Sequence, residues 1–140
     1  MHVADYRLGD ERHGYVARFM TSDGGKDTLP YTFCQSARDG AGQWKWKQWD
    51  EPRPLYLPGH ALPGGRTVVL VEGEVKAEVL QQLLDQTAPG VYCVASWPGG
   101  SKAWQKALWV WLAGSTVLLW PDCDAPVSYT HLRAHETEAD

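Results

Sequence analysis

The stretch that decides the fold is "TVVLVEGEVKAEVLQQLLDQ", residues 67–86. Its first five residues form a continuous aliphatic run rich in valine, which is typical of a strand buried on both faces. From Glu74 onward the apolar residues follow a helical spacing. They are Val75, Val79, Leu80, Leu83 and Leu84. A strand that leads directly into a helix is the first half of a βαβ unit, so the stretch predicts an α/β fold.

The residues downstream repeat this alternation. "VYCVAS", residues 91–96, predicts a second buried strand, and "STVLLW", residues 115–120, predicts a third. Between them, "SKAWQKALWVWLAG" predicts a helix that begins at Ser101 and ends at Gly114. Short connections between alternating strands and helices indicate a parallel sheet.

The residues upstream have a different pattern. "HGYVARFM", "LPYTFC" and "WKWKQW" are separated by the turn clusters "TSDGGKD" and "RDGAGQ", which predicts a small antiparallel meander. "EPRPLYLPGHALPGG" carries four of the nine prolines and predicts an extended connector. We therefore divide the chain into a β-rich N-terminal region with its connector, residues 1–63, and an α/β domain, residues 64–126.

Composition limits the class of protein. The chain has 140 residues, 44% of them hydrophobic, and a net charge of −4, which argues against an overall positive surface. Its three dispersed cysteines favour a reducing compartment over a disulfide framework. Since no apolar run approaches the ~20 residues of a membrane span and no signal peptide pattern is present, we expect a cytoplasmic protein with no membrane partner.

Acidic residues follow two of the three predicted strands of the parallel sheet. Glu72, Gly73 and Glu74 follow the first, and Asp122 and Asp124 follow the third. Carboxylates that share one sheet edge at ~4–6 Å repel by a few kcal/mol per pair unless a cation lies between them. Mg²⁺ suits such a site, because it binds carboxylates, water and phosphate oxygens. The pattern indicates metal-assisted phosphoryl transfer, although each acid alone is also typical of a turn or a helix cap.

The second predicted strand ends in a glycine turn. Gly99 and Gly100 allow the backbone to approach a ligand closely, and Lys102 follows them. We expect this turn and its lysine to lie near phosphate groups.

Three segments together resemble a known family. "VLVEGEVKAEVL", "SWPGGSKAW" and "VLLWPDCDAP" resemble the TOPRIM domain of phage- and plasmid-type DNA primases and primase-helicases, over about residues 67–126. The resemblance implies that Glu72 is the general base or acid, with Gly73 as the glycine that follows it. It also implies that Asp122 and Asp124 bind Mg²⁺ or Mn²⁺.

Departures from the family pattern affect two positions. Relatives often read Glu-Gly-Glu-Lys, whereas here Val75 follows Glu74 and the lysine is Lys76, about 100° further round the helix. We keep Glu74 as an additional metal ligand and Lys76 as a weaker phosphate-binding candidate. Relatives also have a glycine where this chain has Val127.

The resemblance implies a DNA primase that joins nucleoside triphosphates into an RNA primer on a single-stranded DNA template, in phage or plasmid replication, with a helicase domain or partner. Two alternatives stay open. One is a TOPRIM nuclease that uses the same acids, and the other is a catalytically inactive, replication-associated nucleic-acid-binding module.

The C-terminal segment breaks the pattern. "VSYTHLRAHET", residues 127–137, resembles one reading frame of a sequencing adapter, so we expect residues 127–140 to be non-native. The α/β domain would then be truncated after Pro126, and we expect weak activity or none from this chain.

The tryptophans have two interpretations. Trp44, Trp46 and Trp49 lie among Lys45 and Lys47, and such mixtures bind single-stranded nucleic acid. Strict alternation also fits an amphipathic strand whose tryptophans face the core, which is the interpretation we expect. Four other tryptophans are predicted to pack in the core, namely Trp97, Trp104, Trp109 and Trp111.

Overall fold

The computed structural model describes residues 1–36 and 38–122. The strands are β1 (His2–Leu8), β2 (Glu11–Met20), β3 (Lys26–Gln35), β4 (Gly42–Lys45), β5 (Thr67–Val71), β6 (Tyr92–Ala95) and β7 (Val117–Trp120). The described residues contain one α-helix, α1 (Glu74–Thr87), and two 3₁₀ segments, Ser101–Lys106 and Trp109–Leu112. The predicted mixture of an antiparallel sheet and an α/β unit is confirmed at this level.

The first four strands form an antiparallel sheet in the order β1-β2-β3-β4. Val16 on β2 lies opposite Ala4 on β1 and Pro30 on β3, so alternate residues share one face. That face buries Ala4, Tyr6 and Val16 against the rest of the protein. The sequence pattern did not predict β1, which extends the predicted meander by one strand.

The second sheet is parallel, with the order β6-β5-β7 and β5 at its centre. Val69 on β5 pairs with Val94 on β6 and with Leu118 on β7. The helix α1 packs on β6 through Gln81, whose Oε1 accepts from the Val94 N–H at 2.8 Å. The helix thereby hydrogen-bonds to the β6 backbone. No helix of the described residues is long and apolar enough to cross a membrane.

The helix predicted between Ser101 and Gly114 is wrong. In its place are the two 3₁₀ segments, with an extended Ala107 between them. The connector explains the break, because Arg53 N–H donates to the Lys106 carbonyl and Leu108 N–H donates to the Arg53 carbonyl, each at 2.7 Å. Backbone groups that would continue a helix are used by the connector instead.

The connector is irregular, as predicted, but it is also part of the core. Leu55, Tyr56 and Leu57 are buried, and Tyr56 exchanges backbone hydrogen bonds of 2.8 and 3.0 Å with Ser96. Two hydrophobic clusters join the two regions of the chain. One contains Ala4, Tyr6 and Val16 together with Tyr56, Val69, Val71, Ala77 and Val94, and the other joins Leu55 and Leu57 to β5 and β6.

Candidate active site at the carboxyl edge of the parallel sheet

The strand register brings the ends of β5 and β7 side by side. Val71 pairs with Trp120 in the parallel direction. Glu72 therefore leaves the sheet one residue beyond this pair and Asp122 two residues beyond it, at the same edge. Neighbouring strands lie about 4.8 Å apart, so the backbones that carry the two acids run close together. This is the juxtaposition on which the predicted metal site depends.

Gly73 forms the turn from β5 into α1. Its backbone has φ 94° and ψ 139°, a region that is essentially restricted to glycine. An added Cβ would meet no atom within 4 Å, so the requirement for glycine comes from the backbone rather than from space.

Ser96 ties the end of β6 to this turn. Its buried hydroxyl oxygen accepts from the Gly73 N–H at 3.0 Å. Because the Ser96 backbone also pairs with Tyr56, one residue joins a strand end, the connector and the first turn of α1. The ends of β5 and β6 are thus fixed relative to each other and to the connector.

Lys76 forms an ion pair with Asp122. The lysine lies in the first turn of α1, and its ammonium group contacts the Asp122 Oδ1. Both side chains are partly exposed, so the pair contributes about 0–1 kcal/mol to stability. The sequence predicted a phosphate contact for Lys76, whereas the structure gives it a carboxylate partner. A positive charge thus lies against one of the two aspartates predicted to bind the metal.

Glu74 is hydrogen-bonded to the N-terminal sheet. Its Oε1 accepts a hydrogen bond of 2.7 Å from the hydroxyl of Tyr6, a fully buried residue. Burial raises the pKa of Tyr6 well above its ordinary value, and the Glu74 carboxylate adds to the shift. One oxygen of this predicted metal ligand is therefore used to hold the two sheets together.

Glu78 makes a second contact of the same kind. The Tyr56 hydroxyl donates to its Oε1, and the His2 Nε2 lies 2.8 Å from its Oε2. Burial and this hydrogen bond raise the pKa of Tyr56. Two glutamates one turn apart on α1 thus bind tyrosines from β1 and the connector.

The glycine turn after β6 is closely packed on one side. A Cβ on Gly99 would lie 2.8 Å from the Arg53 Nη1 and 2.9 Å from the Ala103 Cβ, whereas one on Gly100 would meet nothing within 4 Å. The Gly100 carbonyl accepts from the Trp97 indole at 2.7 Å. Lys102 lies exposed just beyond this turn. Gly99 is thus required for close packing against Arg53 and Ala103, whereas the space beside Gly100 is open.

The predicted site is described only in part. Glu72, Gly73, Lys76 and Asp122 lie at one edge, whereas Asp124 falls outside the described residues. Within residues 1–36 and 38–122, no group of three His, Cys, Asp or Glu side chains has metal-binding geometry. Sequence reasoning missed the role of Ser96, whose only signal was its position at a strand end.

Comparisons with known proteins do not place the chain in a family. No family model, no curated protein and no solved structure matches the chain.

Proposed function

We propose that this chain carries a TOPRIM-like site for Mg²⁺-dependent nucleotidyl transfer on nucleic acid, of the kind that makes RNA primers on a single-stranded DNA template. The observation that carries the proposal is the pairing of Val71 with Trp120, which puts Glu72 and Asp122 at one sheet edge. Ligands of parallel α/β sheets bind at this edge. The dispersed cysteines agree with a reducing, cytoplasmic location.

The donor set fits a hard divalent cation. Mg²⁺ or Mn²⁺ would be held by Asp122 and Asp124, with the second carboxylate oxygen of Glu74 as a further ligand, and would neutralise charge on the reacting phosphates. Lys76 already supplies a positive charge to Asp122. We infer that the lysine moves away from the carboxylate when a cation binds, and then faces the phosphates.

The side chains have separate roles in the transfer. Glu72 accepts the proton of the primer 3′-hydroxyl. The 3′-oxygen then bonds to the α-phosphorus of a nucleoside triphosphate, and the bond from that phosphorus to the leaving pyrophosphate breaks. Lys102 and the open Gly100 backbone lie after the neighbouring strand, where they would contact the triphosphate. Most of the catalysis in this scheme is positioning and electrostatic stabilisation.

A cation titration tests the site. Mn²⁺ or Mg²⁺ added to the whole chain should change the tryptophan fluorescence, because Trp120 lies two residues from Asp122. Asp122→Asn/Asp124→Asn should abolish the response. Asp50→Asn is the matched control, since the Asp50 side chain is almost fully exposed and should leave the response intact. An unchanged response in the Asp122→Asn/Asp124→Asn variant would refute the metal site.

The reaction is tested with labelled substrates. Primase-type chemistry predicts incorporation of α-labelled ribonucleotides that depends on a single-stranded template, whereas a TOPRIM nuclease would cleave the strand instead. Glu72→Gln should abolish either product. The Lys76–Asp122 ion pair favours one further candidate, a nucleic-acid-binding module in which the lysine replaces the metal. That candidate predicts no fluorescence response to Mn²⁺.

A further inference from the structure

The outward face of the antiparallel sheet carries five aromatic side chains, which we call the aromatic cluster. They are Tyr15, Tyr31, Phe33, Trp44 and Trp46. Tyr15 pairs with Tyr31, and Phe33 pairs with Trp44. Directly paired residues share a face, and these pairs alternate with the positions that face the core. The expectation that the tryptophans of this segment face the core is wrong for Trp44, which shares the outward face with Phe33, and for Trp46, which lies beyond β4 and is 63% exposed.

The rings contact one another rather than the core. Trp44 is stacked on Tyr31 at 5.4 Å between centroids with an interplanar angle of 18°, and Tyr31 lies 4.7 Å from Trp46. Phe33 meets the edge of Trp44 at 5.7 Å and is 50% exposed. Gly42 makes room for this arrangement, because a Cβ there would lie 1.8 Å from the Phe33 ring. The result is a continuous aromatic surface open to solvent.

Two lysines lie beside this surface. Lys45 is the last residue of β4, and Lys47 follows it by two residues. Lys45 is exposed, and Lys47 makes only a 3.9 Å contact with an exposed carboxylate. Their ammonium groups are therefore accessible to an anionic ligand.

The position of β4 brings the rings and the lysines together. β4 is the edge strand of its sheet. Lys45 pairs with Thr32, which points to the core-side face, while Trp44 points outward. A polyanionic strand that lies along the β4 edge would have the aromatic rings on one side and the lysine ammonium groups on the other. Aromatic platforms beside cations are the chemistry of single-stranded nucleic acid binding.

We propose that the aromatic cluster and the β4 edge bind single-stranded DNA, with bases stacked on the rings of Trp44 and Trp46 and phosphates at Lys45 and Lys47. This inference rests on the proposed function for the identity of the nucleic acid. DNA binding is measured in EDTA, so the result does not depend on the metal site.

The stacking is tested by fluorescence anisotropy of fluorescein-labelled dT15 with the whole chain. Trp46→Ala should weaken binding roughly fivefold or more, as expected for loss of one base–aromatic stack. Val110→Ala is the control, since Val110 is 67% exposed but lies in the Trp109–Leu112 segment, away from both proposed sites, and it should change the affinity less than twofold. Thermal unfolding of both variants checks that they fold.

The phosphate contacts are tested by salt. Lys45→Gln/Lys47→Gln should reduce the slope of log affinity against log salt by about 1.4, the value for two lost contacts on a single strand. A duplex 15-mer should bind more weakly than dT15.

Three outcomes would overturn the inference. One is no dT15 binding at low salt, and another is equal weakening by Trp46→Ala and Val110→Ala. The third is a concentration-dependent dimer that Trp46→Ala dissociates, which would make the surface an interface between two copies. Binding of dT15 without any Mn²⁺ response would instead refute the metal site alone.

Discussion

The Tyr6–Glu74 hydrogen bond gives the sharpest stability prediction. Tyr6→Phe removes a hydroxyl that is fully buried and donates to a carboxylate at 2.7 Å, while the ring contacts with Trp49 and Tyr56 at 4.6 and 5.0 Å are kept. Hydrogen bonds to charged groups contribute about 1.5–3 kcal/mol. Because Glu74 is only half-buried and water can reach its carboxylate, we expect the lower end of that range. Urea unfolding at pH 7, followed by tryptophan fluorescence, measures the change.

The same variant has a distinct dependence on pH. Tyr6 ionises near its ordinary pKa of 10.0 when unfolded but stays protonated in the folded protein, since its pKa there is raised. The unfolded state therefore releases a proton that the folded state retains, and stability falls as the pH rises above 10. The advantage of the wild type over Tyr6→Phe should be about 1.4 kcal/mol smaller at pH 11 than at pH 7.

Tyr15→Phe is the control for both measurements, because the Tyr15 ring lies on the outward face of the sheet. It should change the free energy of unfolding by less than about 0.5 kcal/mol. The reasoning fails if Tyr6→Phe costs no more than Tyr15→Phe, or if the difference between wild type and Tyr6→Phe is the same at pH 7 and pH 11.

Three further substitutions test the geometry of the site. Gly73→Ala should lower the free energy of unfolding in urea by about 1–3 kcal/mol, because Gly73 has a positive φ. The control is Gly59→Ala, whose added Cβ would meet no atom within 4 Å and whose φ is not positive, and it should cost under about 0.5 kcal/mol. Equal costs would contradict the strained turn. Gly99→Ala adds contacts of 2.8 and 2.9 Å to a positive φ, so its cost should exceed that of Gly73→Ala, and a smaller cost would show that the turn relaxes freely. Lys76→Gln should tighten Mn²⁺ binding by up to about fivefold, since it removes a cation that competes for Asp122; weaker Mn²⁺ binding would contradict this.

The sequence pattern predicted β5 and α1 because the apolar spacing of each element lies within one continuous stretch of the chain. The four residues Val68–Val71 are all buried, as a continuous apolar strand requires. The buried face of α1 was less predictable. Val79 and Leu83 are more than half exposed, while Gln81 is buried because its amide hydrogen-bonds to the β6 backbone. A polar residue in the core is recognisable only once its partner strand is known.

Contacts between distant parts of the chain were not predictable from spacing. Tyr6 and Glu74 are 68 residues apart, and nothing near either residue signals the other. The helix predicted from Ser101 failed for the same reason, since its backbone groups are taken by Arg53 in the connector. Alternation puts Trp44 and Trp46 on one face of the segment, but it does not indicate which face is buried.

The proposed metal site requires that acids following β5 and β7 bind one divalent cation together. Electron paramagnetic resonance of free Mn²⁺, titrated with the whole chain, measures it most directly. Glu74→Gln and Asp122→Asn should each weaken Mn²⁺ binding, and the double variant should lose less than the sum of the two free energies, as expected for residues that share one ion. Additive losses, or full affinity in either single variant, would contradict a shared site.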